Sequence, residues 1–392
     1  MKKLLVILMV FAMILSLAAC GGDSQTPEET TAAPAETTAA PAETTEGDEP
    51  PEETTAAPDV DNVTGKTVGF INAGPDDYYA QFGDAFKAIG ETVGLEVIEL
   101  NSDYSPEKEL ANVQDMIAAG VDAIAVITAG AAGSAESIKA AYEADVPIFF
   151  IAGRPELIPG TDLTGHVTDN FVMMGYLVGQ WVAENYPDAK CVNIPGFLGQ
   201  GPAEGEIVGF DLALEEAGME PATLLTSSEW QRTLAIPIAQ DLIASGTEFD
   251  VLFACNEETF FGVLQVFEEL GVEDKVIVSN NGKDDAWPHL IDGTLAATVP
   301  NPPSLNADIC IQQIIRHFNG EDFVQYLQIR PPGVLTGDNV DTAIPWTVSD
   351  YLEGRAADEF QWRLEDYEAA YEENVSLFEE FDQKLIDYLA NN

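Results

Sequence analysis

Thr67-Val68-Gly69-Phe70-Ile71-Asn72 is an apolar run closed by an amide, and seven residues after it Tyr79 begins the series Tyr79, Phe82, Phe86, Ile89 and Val93. Spacings of 3, 4, 3 and 4 put those five side chains on one helical face. A strand apolar on both faces, followed at once by an amphipathic helix, is the unit of a parallel sheet covered on both sides. The unit then repeats. Glu96–Asn101 reads as the next strand, and Ser105-Pro106-Glu107 opens a helix with a capping serine and proline in its first turn, ending near Gly120. Ala123–Thr128 is a strand, a helix runs on to about Ala144, and Pro147–Ile151 is a strand again. After Gly165-His166-Val167-Thr168 the rhythm restarts. A helix spans about Asn170 to Glu184, and strands Cys191–Ile194, Ala222–Thr226, Val251–Cys255 and Val276–Ser279 alternate with helices. Two such series predict an α/β protein of two doubly wound parallel-sheet lobes.

In that architecture ligands sit beyond the carboxyl ends of the strands. The residues there are Asn72, Thr128, Arg154, Gly196, Glu229, Trp230, Asn256, Asn280, Asn281 and Asn301. Amides and hydroxyls both donate and accept, which suits a polyhydroxylated ligand. Aromatic faces suit the C–H face of a sugar ring or a flat heterocycle.

At these residues the chain resembles the sugar-type substrate-binding proteins of ABC importers, the type I periplasmic binding protein fold with a hinge between its lobes. The resemblance covers roughly residues 65–322. Its most specific piece is Glu109-Leu110-Ala111-Asn112-Val113-Gln114-Asp115, supported by Thr168-Asp169-Asn170, Asn256-Glu257-Glu258 and Gly293-Thr294-Leu295-Ala296-Ala297-Thr298-Val299. The resemblance implies polar ligand contacts at Asn72, Asp76, Thr128, Asn256, Asn281 and Asn301, and ring stacking at Tyr78, Tyr79 and Trp230. Arg154 matches the arginine of the family's Asp-Arg pair, but Gly153 stands where the aspartate would be. Glu204 stands where the family carries a second arginine, and Asn281 where it carries an aspartate. Much of the charged fork set that grips ribose or glucose hydroxyls is therefore missing. The added Asp76 and Glu204 point to a neutral or partly cationic ligand with a flat face. Tyr79 also fits the core stripe of its helix, and Asn256 also fits a helix cap, so each has a structural role open to it.

Upstream of the body, Lys2 and Lys3 precede an apolar run from Leu4 to Leu15, and Leu17-Ala18-Ala19-Cys20 follows. That is a secretory leader with small residues at the cut. A cysteine at the cut resembles a lipoprotein signal, which implies cleavage before Cys20 and a lipid on its sulfur. The run is short for a membrane span, which needs roughly 20 apolar residues. Residues 21–61 repeat Glu-Thr-Thr-Ala-Ala-Pro and hold no Lys, Arg, Leu, Ile, Phe, Tyr or Trp. Such a stretch cannot bury enough apolar area to order itself, and reads as an extended acidic spacer reaching on the order of 100 Å. A Gram-positive cell surface is the expected address. The division expected is 1–19 leader, 20–61 lipidated cysteine and tether, 62–168 with 302–334 as lobe 1, 169–301 as lobe 2, and 335–392 as a helical extension. In that extension Phe360, Leu364, Tyr367, Tyr371, Val375, Phe378, Leu385 and Leu389 recur at helical spacing, forming a stripe that either packs on the body or docks a partner.

The whole chain carries 16 basic and 68 acidic residues, a net charge of −52. A surface that acidic repels phosphate backbones and anionic headgroups, so nucleic acid is excluded and membrane contact is expected through the lipid alone. The acidic tether also replaces the basic head that a sugar-responsive repressor of this fold would need. His166, His289 and His317 form no triad or zinc spacing, Cys191, Cys255 and Cys310 no C-x-x-C pair, and Gly199, Gly201 and Gly205 miss the dinucleotide spacing. No enzyme activity, metal or cofactor is expected. What remains is a monomeric binding protein that captures a small polar ligand by lobe closure and hands it to a membrane permease. The alternative is a sensing lipoprotein that presents a sugar, nucleoside or signal molecule to a receptor.

Overall fold

The computed structural model of the protein describes residues 60–199 and 201–391. The expected leader, Cys20 and the tether up to residue 59 lie outside the described residues. The first series runs β1 (Thr67–Asn72), α1 (Asp77–Thr92), β2 (Glu96–Asn101), α2 (Pro106–Ala119), β3 (Ala123–Ile127), α3 (Ala131–Glu143), β4 (Ile148–Ile151) and β5 (Gly165–Asp169). The second runs α4 (Phe171–Asn185), β6 (Cys191–Ile194), α5 (Pro202–Glu216), β7 (Thr223–Leu224), α6 (Arg232–Ser245), β8 (Val251–Ala254), α7 (Glu257–Leu270), β9 (Val276–Asn281), α8 (Trp287–Asp292) and β10 (Ala297–Pro300). The chain returns through α9 (Pro303–Asn319) and β11 (Tyr326–Ile329) and ends in α10 (Val348–Ala357) and α11 (Leu364–Asn391).

The two series build two sheets, ordered β11-β5-β4-β3-β1-β2 and β10-β9-β8-β6-β7. All the neighbouring strands pair in parallel. Alternate side chains of each strand enter opposite helical layers, as a two-sided sheet requires. Phe70, Phe149 and Ile151 pack with Phe82, Phe86 and Ile89 of α1 and with Ile311 and Ile314 of α9. Ile71, Ile124, Val126 and Phe150 pack on the other side with Val113 and Met116 of α2 and Ile138 of α3. In the second lobe Leu252, Ala254 and Ile277 meet α6 and α7, and Val251, Phe253 and Val278 meet α4 and α5. The edges depart from the continuous apolar reading. β2 buries none of its six residues, and β7 shrinks to two exposed residues instead of the five expected. Each edge strand pairs on one side only, so less of it is held in the ladder.

The chain crosses between the sheets after Asp169, after Pro300 and after Ile329. These crossings are tied together by buried amides. Asn306 Nδ2 donates to Asp169 Oδ2 at 2.8 Å and to Asn301 Oδ1 at 3.2 Å, and Asn170 Nδ2 donates to Gln328 Oε1 at 2.6 Å. Residues 335–391 are woven into both lobes. Leu335 bridges Thr298 of β10 and joins the second core with Val340. Ile344, Tyr351, Leu364 and Tyr367 then enter the first core. The apolar stripe of α11 finally sets Phe378, Phe381 and Leu385 on Val172 and Met173 of α4. The expected stripe from Leu364 to Leu389 lies on α11, Phe360 falls in the break at residues 358–363, and Asp358 at φ 56° makes the left-handed turn that ends α10.

Candidate functional site

The cleft between the two sheets holds a cavity of about 70 Å³. Asp76, Tyr78, Tyr79, Thr128, Trp230, Asn256, Asn281 and Asn301 all line it. They arrive there because each follows a strand end or opens a helix. Asp76 caps α1, accepting from the Tyr79 N–H at 3.2 Å, and also takes a hydrogen bond from the Tyr104 hydroxyl. Burial raises the Asp76 pKa above the ordinary carboxylate value. Tyr78 meets Tyr79 edge-on at 5.4 Å and Trp346 at 5.6 Å. Thr128 Oγ1 donates to Glu109 Oε2 at 3.0 Å, and the same carboxylate accepts from Ala129 N and Ser137 Oγ. The motif beginning at Glu109 thus holds the loop after β3 in place, while Asn112 holds the turn after β2 through Asn101 O and Ser102 Oγ.

On the facing lobe, Glu229 and Trp230 both have positive φ, 51° and 64°. Asn256 fixes that turn by donating from Nδ2 to Trp230 O at 3.1 Å, and its Oδ1 caps α7 by accepting from Thr259 N at 2.9 Å. The Trp230 indole lies against Gly196, where a Cβ would come within 2.3 Å of three ring carbons, so only glycine fits beneath it. Asn281 sits at φ 97° and its carbonyl accepts from Trp346 Nε1 at 3.0 Å.

Three expected contacts point elsewhere. Asn72 is buried beneath the start of α1, where its Nδ2 donates to Tyr79 O at 2.6 Å and to Glu99 Oε1 at 3.1 Å. It shapes the wall and does not line it. Arg154 follows two left-handed residues, Ala152 and Gly153 (φ 53° and 63°), which redirect the chain. It lines a separate cavity with His166, Gln328, Tyr371 and Asp382, behind the crossings. Glu204 folds back on its own loop and accepts from Gly199 N at 2.5 Å and Gly201 N at 3.2 Å, which satisfies two free N–H groups at the start of α5.

Several lining residues have no counterpart in the sequence reading. Trp346 comes from the extension and touches both lobes, through Tyr78 on one side and Asn281 on the other. Lys283 reaches across the cleft mouth to Asp77 at 2.7 Å, and also holds Glu258 at 2.9 Å and Asp285 at 3.1 Å. Burial alone would lower the Lys283 pKa, but these carboxylates raise it above the ordinary lysine value. Tyr104 stacks on Phe197 of the other lobe at 6.1 Å, so the lobes are closed on each other. Glu257 accepts from Gly282 N at 2.8 Å and Thr298 Oγ1 at 2.7 Å, and burial pushes its pKa up to about 8. Glu206 is 2 % exposed, its Oε2 has no hydrogen-bond partner, and burial raises its pKa well above the ordinary value although the Asn280 amide works the other way. The signal for Glu206 was its position on the first turns of a helix facing the strand ends, one turn beyond a loop that drew attention to Glu204. Among the described residues no cluster of three or more His, Cys, Asp or Glu is placed to hold a metal ion, and no helix is long and apolar enough to cross a membrane.

Comparison with known proteins gives the family and the fold. Residues 68–322 match the periplasmic binding protein domain, and the chain belongs to that family. The ribose import binding protein of Salmonella typhimurium is 24 % identical over 229 residues, 58 % of this chain and 75 % of that protein. The galactofuranose-binding protein of Escherichia coli is 23 % identical over 248 residues, 61 % of this chain and 78 % of that protein. The binding component of the arabinose ABC transporter of Shewanella, solved with arabinofuranose bound, superposes with a TM-score of 0.66 at 21 % identity, covering 76 % of this chain and 99 % of that one.

Proposed function

We propose that this protein is the extracytoplasmic substrate-binding component of an ABC importer, capturing one small sugar or sugar-like ligand by closure of its two lobes. The observation that carries the reading is the pairing of ring faces and polar groups across one cleft, Tyr78 and Thr128 from the first lobe against Trp230 and Asn281 from the second. A ligand touching both walls favours the closed state by its differential affinity, which is what capture requires. The names of the relatives, for ribose and galactofuranose, support a sugar as the ligand class. Asn72, Arg154 and Glu204 act in this reading as supports of the walls and loops rather than as ligand contacts. The body works as a monomer, held by a lipid on Cys20 through the acidic tether, and presents its closed form to a membrane permease. No catalytic step is assigned.

The test is titration calorimetry of the full chain against a panel of pentoses, hexoses in both ring forms, and cyclic polyols. Binding of at least one member at micromolar concentration, with one site per chain, is expected. A panel in which nothing binds below millimolar concentration overturns the reading.

A further inference from the structure

Among the described residues the cleft wall carries more acidic than basic side chains. It holds the carboxylates of Asp76, Asp77, Glu206, Glu257 and Glu258 against a single lysine, Lys283. Four of the five have partners within the protein. Asp76 accepts from Tyr104 and from the Tyr79 N–H, Asp77 is paired with Lys283, and Glu257 accepts from Gly282 N and Thr298 Oγ1. Glu258 is bound by both Lys283 and Arg232, the latter at 2.9 Å. Lys283 is itself surrounded by Asp77, Glu258 and Asp285. Glu206 alone is left with a carboxylate oxygen, Oε2, that is buried and unpartnered. A carboxylate taken out of water costs several kcal/mol unless a charge or donors meet it. Burial and the neighbouring Glu257 both raise the Glu206 pKa, so Glu206 needs a cation against it to be held ionised.

We propose that the ligand carries a basic amine, and that its ammonium sits on Glu206 while its ring lies between the Trp230 and Tyr78 faces. The inference rests on the reading of the cleft as a sugar site and narrows it to amino sugars or amino-bearing polyols. Two further features of the cleft favour a cation. A positive group beside the faces of Trp230 and Trp346 is attracted by their quadrupoles. An ammonium also supplies three donors at once, enough for Glu206 Oε2 and for the side-chain oxygens of Asn281 or Asn301 on the same wall. The Tyr104–Phe197 ring contact and the Asp77–Lys283 pair both join the two lobes beside the cleft.

The test uses matched pairs that differ only in the amine. The full chain and E206Q are titrated calorimetrically at pH 7 with D-glucose and D-glucosamine, D-galactose and D-galactosamine, and D-mannose and D-mannosamine. At least one amino member is expected to bind tighter than its neutral twin by roughly 10- to 100-fold, and E206Q to remove that difference. Neutral members that bind as well as or better than their amino twins overturn the proposal and leave the sugar-binding reading standing. A preference for the amine that survives E206Q also overturns it, because the cation would then sit elsewhere. If none of the six compounds binds and the wider sugar panel is also silent, the sugar-binding reading fails and takes this inference with it. If the wider panel binds while all three amino sugars do not, only this inference fails. Thermal unfolding of E206Q without ligand separates loss of folding from loss of the contact.

Discussion

The indole of Trp230 is the second lobe's ring face, and two substitutions test it from opposite sides. Trp230→Ala removes the face. Gly196→Ala leaves the tryptophan but places a methyl where three ring carbons stand 2.3 Å away, so the indole must retreat by about 1 Å or more to reach contact distance. The displaced ring is expected to move into the cleft that it lines. A sugar ring covering roughly 60 Å² of the indole and losing a similar area of its own removes about 120 Å² from water, or about 3 kcal/mol at 25 cal/mol/Å². That corresponds to a loss of about 100-fold in affinity for Trp230→Ala. The indole is more than half buried without ligand, so ligand-free stability should fall by about 1–2 kcal/mol. Gly196→Ala should weaken binding to a similar degree by crowding the site, and the double substitution should be no worse than Trp230→Ala alone, because the methyl then has nothing to displace. The assay is calorimetry with whichever ligand of the panel binds most tightly, with thermal unfolding of each ligand-free variant alongside. Affinity for Trp230→Ala within threefold of the unaltered protein would refute the placement of the ligand against this ring.

Other parts of the account are open to equally direct tests. Asp77→Asn breaks the cross-cleft pair with Lys283; Asp77 is about half exposed, so a loss of only about two- to fivefold in affinity is expected, shrinking at high salt, and a salt-independent effect would argue against a latch. Phe378→Ala empties a fully buried position where α11 meets α4, and a loss of about 3 kcal/mol in unfolding free energy is expected, with truncation after Asp338 leaving an insoluble or molten body; a soluble, equally stable truncation would mean the extension is dispensable. Asp169 has its pKa raised by burial to about 7, so its protonated form is favoured on folding and it contributes stability that is present below the ordinary carboxylate range and lost as pH rises through 7. His166, lowered by burial to about 4, works in the other direction, its contribution being lost as pH falls from about 6.5 toward 4. Asp169→Asn should therefore be more stable than the unaltered protein at pH 8 and equal to it near pH 4; equal unfolding temperatures at both pH values would contradict the buried-acid assignment.

The fold was legible because its strands are apolar on both faces. β1 and β6 fall where the apolar runs end, β2 keeps its expected bounds although none of its residues is buried, and the Ser105 cap, Pro106 start and Gly120 stop of α2 appear as read. The misread parts are those where burial is one-sided or where long-range contact decides. β7 has no second neighbour to lengthen it. The residues at strand ends were also legible as cleft residues, since topology alone carries Tyr78, Thr128, Trp230, Asn256, Asn281 and Asn301 to one place. Side-chain direction was not. Glu204 and Glu206 lie two residues apart on α5, and a helix turn sends one back to its own glycine loop and the other toward Asn280 and Glu257. Arg154 was lost to the cleft because two successive left-handed residues precede it, a conformation that Gly153 permits but that Ala152 does not announce. Trp346 could not be found by strand-end logic at all, because it arrives from the extension, after the last strand has ended.

The central claim is that one small ligand is held between the two lobes, against ring faces from both. A crystal structure of the full chain carrying the ligand it retains on purification from its own cells tests this most directly. The account predicts one ligand in contact with Tyr78 and Trp230, with a basic nitrogen within hydrogen-bond distance of Glu206. A ligand lodged instead in the cavity of Arg154 and Asp382, or one touching a single lobe, would contradict it.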